Sequence, residues 1–318
     1  MKPLVSILIP CYNAEEVIAE TLRSCLEQTY ENIEIIVVDD GSTDDSFAVA
    51  KQFESDKVKV VRQKNSGACR ARNYAFELSH GDLIQFIDAD DLLSPGKITS
   101  QVEAYISSGD PIAIITCPWR RFMFQPYDGQ KEFQCCFNNF DNGLTLLLTL
   151  LKSGSMFIPG CYLLSRRVAE AAGNWDEKIK LNQDGEFFAR VLLHAGKVIF
   201  VPHETVFYRS SSATSITKTI SPAKIESAFY ALQQIKKNLL ACNNTCESRL
   251  ALATAFTDLS CSAEAHCYKT AMTAIDEIKK LGMAPQLHGN TFTMKLAKII
   301  GLKNCLRIKA LCRKLKLR

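Results

Sequence analysis

The sequence lacks any Cys-x-x-Cys pair, and its five histidines offer no zinc-ligand spacing. Its 13 cysteines are an odd number scattered through apolar runs, as at Cys11, Cys25 and Cys117. That pattern argues against a secreted disulfide framework and for reduced thiols used as small apolar residues in a cytoplasmic protein. No apolar stretch approaches the ~20 residues that cross a bilayer; the longest runs from Leu144 to Leu151. The opening MKPLVSILIPCYN carries one lysine and passes at once into a strand-like run, so it reads as structure rather than as a signal peptide. Also missing are Gly-x-Gly-x-x-Gly after the first strand, Gly-x-x-x-x-Gly-Lys-Ser/Thr, and Gly-x-Ser-x-Gly. Their absence removes a dinucleotide fingerprint, a phosphate loop and a nucleophile elbow.

Acid is missing from one end. After Glu277 there is no Asp or Glu, whereas 11 Lys or Arg lie between Lys279 and Arg318. The formal charge of +4 therefore hides a mildly acidic body and a basic tail. What remains is an ordinary globular composition, 47% hydrophobic and 23% charged over 318 residues. That suits one large domain, or one domain with an appendage.

The first ~120 residues alternate between strand and helix patterns. Leu4 to Ile9 reads as a strand stopped by Pro10. Asn13, with Glu16 three residues on, reads as the N-cap of a helix reaching about Gln28. Ile33 to Val38 is an unbroken β-branched run, as in a strand buried on both faces of a parallel sheet. Strands at Lys57 to Val61, Leu83 to Ile87 and Ile112 to Cys117 follow, with helices at Gly67 to Leu78 and Pro95 to Ser107. This order implies right-handed β-α-β crossovers and a mostly parallel sheet flanked by helices. From Trp119 to Arg209 the pattern is irregular. It suggests a hairpin turn at Asp128-Gly129, helices at Asn142 to Lys152 and Leu181 to Ala195, and short strands at Lys197 to Pro202 and Thr205 to Tyr208. From about Ser221 only helices are expected, at Ile225 to Cys242, Glu247 to Leu281 and Phe292 to Leu317. The division expected is an α/β domain over 1–215 and a helical region over 216–318.

Open parallel sheets bind ligands along the carboxyl edge of their strands. Two acidic clusters follow strands there. Asp88-Ala89-Asp90-Asp91 packs three carboxylates into four residues, which repel one another unless a cation is present. Hard oxygen ligands suit Mg²⁺ or Mn²⁺ shared with substrate phosphates. The same residues equally suit the first turn of a helix. Asp39-Asp40-Gly41-Ser42 is either an acceptor for a base or ribose, or a solvated turn.

Five segments then stand in a telling order: VSILIPCYN from Val5, Gln28-Thr29-Tyr30, IVVDDGSTD from Ile36, GACRARN from Gly67 and FIDADD from Phe86. Together they resemble glycosyltransferase family 2, and the likeness runs from Val5 to about Ser215. The resemblance implies a GT-A fold, Rossmann-like, here with a helical C-terminal extension. It also implies inverting, metal-dependent transfer from a nucleotide-diphosphate sugar, a UDP-sugar being the expected form. By position it makes Pro10, Tyr12, Asn13, Asp40, Arg72, Asp88 and Asp90 donor-binding residues. Asp90 and Asp91 would be ligands of Mn²⁺ or Mg²⁺. NQDGEFFAR from Asn182 resembles the family's base helix, with Gln183 where Glu is usual, and makes Asp184 the general base. Tyr208-Arg209, followed by Ser211 and Ser215, resembles a late motif in which His is usual at the place of Ser211. It makes Arg209 a further donor-binding cation. Trp175 and Asp176 stand where acceptor-binding residues are common.

The expected function is sugar transfer to a hydroxyl of a saccharide or lipid-linked acceptor, in bacterial surface polysaccharide or glycolipid synthesis. Two alternatives are a nucleotidyltransferase, against which the base helix argues, and an inactive sugar-nucleotide-binding or scaffold protein, against which the intact acidic set argues. The tail from Lys295 interleaves cations with Leu296, Ile299, Ile300, Leu302, Leu306, Ile308, Leu311 and Leu315. Such a helix lies on an anionic membrane, here the inner face of the cytoplasmic membrane, or packs on the body with a solvated basic face. Nucleic acid is not an expected partner, since aromatics are nearly absent from the tail. No feature of the sequence specifies an oligomeric state.

Overall fold

A computed structural model describes residues 2–123, 134–210, 221–287, 296–297 and 299–314. The expected Asp128-Gly129 turn, Ser211 and Ser215 lie outside the described residues. The chain divides into two compact units. One holds 1–146, 155–177 and 190–215; the other holds 147–154, 178–189 and 216–318. The second unit thus draws in two stretches that precede the boundary expected after residue 215.

In the first unit, β1 (Val5–Cys11), β2 (Ile33–Asp39), β3 (Val58–Arg62), β4 (Leu83–Phe86), β6 (Ile114–Thr116), β8 (Leu163–Ser165) and β9 (Val198–Phe200) form one sheet in the order β3-β2-β1-β4-β8-β6-β9. Its strands are parallel except β8, which runs antiparallel to both neighbours. The crossover helices are α1 (Ile18–Leu26), α2 (Ser46–Lys51), α3 (Ala68–Glu77) and α4 (Lys97–Ser108). A second sheet joins β5 (Leu92–Leu93), β10 (Val206–Arg209) and β7 (Trp119–Phe122), in the order β5-β10-β7. The expected mostly parallel sheet with flanking helices is therefore present. Ile7, Leu8, Ile9, Ile35, Val37 and Val38 are wholly buried in its centre, each contributing about 1.5–3 kcal/mol by leaving water.

Two local expectations need correction. Pro10 does not stop β1, which runs on to Cys11. Pairing with β4 ends at Leu8 opposite Phe86, so beyond it β1 is an edge on that side and tolerates a residue without an N–H. Asn13 does not cap α1, which begins at Ile18 after a turn at Ala14 to Val17. Asn13 instead takes a left-handed backbone, φ +49, and its side chain accepts the Thr43 N–H at 2.9 Å. A short helix, α6 (Arg166–Ala172), was not expected; Ser165 caps it by accepting from the Val168 N–H.

Helices α5 (Gly143–Ser153) and α7 (Gln183–Leu193) match their patterns. The second unit is otherwise helical: α8 (Pro222–Cys242), α9 (Cys246–Ala263), α10 (Tyr268–Lys280) and α11 (Leu302–Lys314). The single helix expected over Glu247 to Leu281 is two. No Gly or Pro marks the break; it brings Ala263 and Ala271 together on Ile225. The basic tail packs on this unit. Leu302, Cys305 and Leu306 join Ile275 and Ala297 in a core, and Arg313 binds the buried Glu264 at 2.8 Å. Seven of the 13 cysteines are buried, as suits small apolar residues. Among the described residues no helix is long and apolar enough to cross a membrane.

Candidate active site

The register places the expected site residues on one sheet edge. Cys11 is level with Asp39, and Leu8 with Phe86, so Asp88 falls level with Pro10. β1 separates the two acidic turns. At the usual strand spacing they stand about 10 Å apart, as two sites rather than one cluster.

The turn after β2 is largely satisfied by the chain itself, although Asp39 Oδ1 has no hydrogen-bond partner among the described residues. Asp39 is fully buried and pairs with Arg62 Nε at 3.0 Å, while its Oδ2 also accepts the Ser42 N–H at 3.2 Å. Asp40 is 3% exposed. Its Oδ1 accepts from Gln63 Nε2 at 2.7 Å and from the Ser66 N–H at 2.8 Å. Its Oδ2 accepts the Gly67 N–H at 2.8 Å, at the amino end of α3, where the helix dipole favours an anion. Gly41 permits this geometry, since it sits at φ +71 and a Cβ there would come within 2.7 Å of the Asn65 nitrogen. Asp40, expected on the base, thus holds the 63–67 loop with both oxygens. The Asn13 N–H donates to Ser42 Oγ at 3.0 Å, tying the end of β1 to this turn. Pro10 is buried, whereas Tyr12 stands 49% exposed at the edge.

The turn after β4 is different. The Ile87 N–H still bonds Leu8 O, and the Asp91 N–H closes the turn on Asp88 O at 3.2 Å. The chain then passes through β5 into the second sheet. There Leu93 pairs with Val206 and Leu92 with Phe207, and continuing that register brings Arg209 beside Asp90 and Asp91. Asp88 is paired with Arg72 Nη2 at 2.6 Å; Arg72 lies on α3, 4% exposed, with its guanidinium over Trp175 at 4.4 Å. Asp90 is half-buried. Burial, and then the negative charge of Asp88, push its carboxyl up to about 6. Burial, then Asp90 and Asp88, push Asp91 well above the ordinary carboxylate range.

Asp91, expected as a metal ligand, does not face solvent. It is fully buried, its Oδ1 accepts the Arg209 N–H at 3.1 Å, and its Oδ2 has no hydrogen-bond partner among the described residues. Nor does any group of three or more His, Cys, Asp or Glu among the described residues form a metal site. The residues that do fit a divalent cation are Asp90 with Asp88. Mg²⁺ and Mn²⁺ are commonly held by one or two carboxylates plus substrate phosphates, and Asp90 carries charge that its surroundings leave poorly compensated. Arg209, expected on the diphosphate, is 9% exposed. Its Nε donates to Asp90 O at 3.0 Å, its Nη2 pairs with Glu20, and its guanidinium lies over Phe122 at 4.5 Å. It braces the acidic turn.

Sequence reasoning missed Thr21, whose Oγ1 donates to Ala89 O at 2.8 Å, as well as Glu20 and Gln63. All three reach the turns from other elements, so no local signal marks them. Trp175, expected among acceptor-binding residues, is 3% exposed and packed edge-on against Phe86 at 5.3 Å. Asn73 holds its backbone, accepting the Trp175 N–H at 2.8 Å and donating to its carbonyl at 3.0 Å. Asp176 beside it is half-buried.

Asp184 lies in the second unit, in the first turn of α7, half-buried. Asn182 enters the helix with φ +65, and its side chain lies where a Cβ on residue 185 would be, which is why glycine stands there. Gln183, in place of the usual Glu, turns back to donate to Ile179 O at 2.9 Å.

Comparison with known proteins bears on this arrangement. The family model for glycosyl transferase family 2 matches residues 6–173. An uncharacterized protein of Mycobacterium tuberculosis is 31% identical over 231 residues, covering 69% of this chain and 71% of its own. The UDP-Glc:alpha-D-GlcNAc-diphosphoundecaprenol beta-1,3-glucosyltransferase of Escherichia coli is 40% identical over 100 residues, 31% of this chain and 40% of its own. The crystal structure of S. aureus TarS 1-349 in complex with UDP-GlcNAc superposes with a TM-score of 0.74 at 16% identity, covering 99% of this chain and 92% of that one. At that identity the likeness shows the fold alone.

Proposed function

The chain belongs to glycosyl transferase family 2 and has the GT-A fold, and from that premise we propose an inverting, divalent-cation-dependent transfer from a nucleotide-diphosphate sugar, a UDP-sugar, to an acceptor hydroxyl. The observation that carries this reading is the turn after β4. Asp90 is half-buried beside Asp88, with its carboxyl held up to about 6. A cation relieves that repulsion, and a diphosphate completes its coordination. A bound Mn²⁺ or Mg²⁺ would supply charge to stabilise the departing diphosphate. The relatives' printed names support the donor class: one uses UDP-Glc and one solved structure holds UDP-GlcNAc.

The chain's own residues would then act as follows. Tyr12 offers an exposed ring to the base, beside the loop that Asp40 holds. Asp88, fixed by Arg72, and Asp90 form the cation end of the donor site. Asp184 takes the proton of the acceptor hydroxyl as its oxygen attacks the anomeric carbon, and the bond from that carbon to the diphosphate breaks on the opposite face. Nucleoside diphosphate is released. The nucleotidyltransferase alternative would release pyrophosphate. The test is a panel of nucleotide sugars scored for Mn²⁺-dependent thermal stabilisation, with the released nucleotide identified. No cation-dependent shift with any UDP-sugar, or release of pyrophosphate, would sink the reading.

We also propose a saccharide or lipid-linked acceptor, and contact of the second unit with the inner face of the cytoplasmic membrane. The tail's inward cations are engaged: Lys303 pairs with Asp276, and Lys309 and Arg313 with Glu264. On the outward side of α11, Arg307, Ile308 and Leu311 are exposed, and Ile299 nearby is 81% exposed. Flotation with phosphatidylglycerol vesicles, lost with phosphatidylcholine alone and in an Ile308→Asp, Leu311→Asp chain, is the expected result. Equal recovery in all cases would contradict membrane contact.

A further inference from the structure

We propose that Glu20 is a positioning residue of the cation site: it holds the Arg209 guanidinium off the Asp90 carboxylate. The inference rests on the divalent-cation reading above. Arg209 reaches the acidic turn on β10 with its side chain 8% exposed, so its charge needs a partner. Its backbone N–H is taken by Asp91 Oδ1 and its Nε by the carbonyl of Asp90. Its Nη2 turns to Glu20 Oε2 at 2.5 Å, in the first turn of α1. The next residue, Thr21, grips Ala89 O. The opening turn of α1 thus holds the acidic turn with one side chain and its arginine with the next.

The consequence is electrostatic. The guanidinium bonds the Asp90 carbonyl, and its charge acts on the Asp90 carboxylate, which it attracts. With Glu20 as acceptor, Arg209 neutralises a carboxylate on α1. Without it, the carboxylates of the acidic turn, on which the Arg209 charge already acts, are left to draw the guanidinium, and an arginine drawn to Asp90 would compete with a divalent cation. Glu20 acts through Arg209 and touches neither donor nor cation.

The test is Mn²⁺ binding to the full chain in the presence of UDP, followed by the electron paramagnetic resonance signal of free Mn²⁺, with no turnover involved. Glu20→Gln should weaken Mn²⁺ binding about 10-fold, and Glu20→Asp should lie between it and the parent. Arg209→Met should bind Mn²⁺ at least as well as the parent, and adding Glu20→Gln to it should change nothing further. Melting of Glu20→Gln should stay within a few degrees of the parent, because Arg209 re-pairs with the acidic turn instead of being left as an unpaired buried charge. Parent-like Mn²⁺ affinity in Glu20→Gln overturns the proposal. So does a 10-fold loss that persists in the Arg209→Met background, which would mark Glu20's own charge acting through space. Should Arg209→Met not fold, salt decides the same point: a through-space loss shrinks at high salt, while a loss through Arg209 persists. If the parent chain binds no Mn²⁺ with UDP, the cation reading fails and this inference with it; if only the Glu20 variants behave like the parent, this inference fails alone.

Discussion

The turns after β2 and β4 look alike in sequence, since each sets adjacent aspartates at the carboxyl end of a buried strand. Their environments are opposite. Asp39 and Asp40 meet Arg62, Gln63 and the N–H groups of Ser42, Ser66 and Gly67. Asp90 meets burial and the charge of Asp88, and Asp91 meets burial and the charges of Asp90 and Asp88; both carboxyls are held high although Arg209 lies beside them. The first turn is mostly satisfied scaffold, with Asp39 Oδ1 alone of its four carboxylate oxygens left without a hydrogen bond among the described residues, and it shapes the edge beside Tyr12. The second carries negative charge that the protein leaves for something else to balance. The number of carboxylates therefore says less about a cation site than the donors arrayed around them.

The comparison can be broken in several places. Asp184→Asn removes the proposed base while leaving both turns intact. Transfer should fall about 10²–10⁴-fold, with UDP and Mn²⁺ binding unchanged; calorimetry alongside a transfer assay checks this, and a large loss of UDP binding would show Asp184 serving the donor. Asp90→Asn should weaken Mn²⁺-dependent UDP binding by about two orders of magnitude, measured by the same titration. Asp40→Asn should do the reverse. It turns an amide towards the Ser66 and Gly67 N–H groups and should cost about 2–4 kcal/mol in urea unfolding, while Mn²⁺ affinity stays within about threefold of the parent.

A smaller effect follows from pH. Burial and Asp88 raise the Asp90 carboxyl from its ordinary 3.8 to about 6 in the folded chain, so the folded state binds that proton more tightly than the unfolded state does. The associated stability is fully present below about pH 4 and is lost as pH rises through about 6. The metal-free parent should therefore lose more thermal stability than Asp90→Asn between about pH 4 and 7, and Mn²⁺ with UDP should restore the difference. Parallel melting curves for the two chains over that range would contradict the assignment.

Much of the fold was legible because its signals are local. The β-branched run at Ile33 to Val38 and the alternation of strands and helices as far as Thr116 needed no tertiary knowledge. Met156 to Leu164 reads as a loop entering a strand, but the antiparallel place of β8 between β4 and β6 did not announce itself, and neither did the split of Glu247 to Leu281, because packing rather than a breaker decides both. Asn13 has the composition of a cap, but its side chain found the Thr43 N–H across the sheet edge instead. The site followed the same division. Its carboxylates stood in the motifs, while their partners came from elsewhere in the chain. Gln63, Thr21 and Glu20 became visible only once α1 and the loop after β3 were in place. The same partners also tie Asp40, Asp91 and Arg209 into the fold.

The central claim is that the turn after β4, and not the turn after β2, takes the cation. Anomalous scattering from a crystal of the full chain grown with MnCl₂ and UDP tests it most directly. The account predicts a manganese peak at the Asp90 carboxylate, in contact with the diphosphate, and none within bonding distance of Asp39 or Asp40. A peak on Asp40, or bound UDP with no manganese beside Asp90, would contradict it.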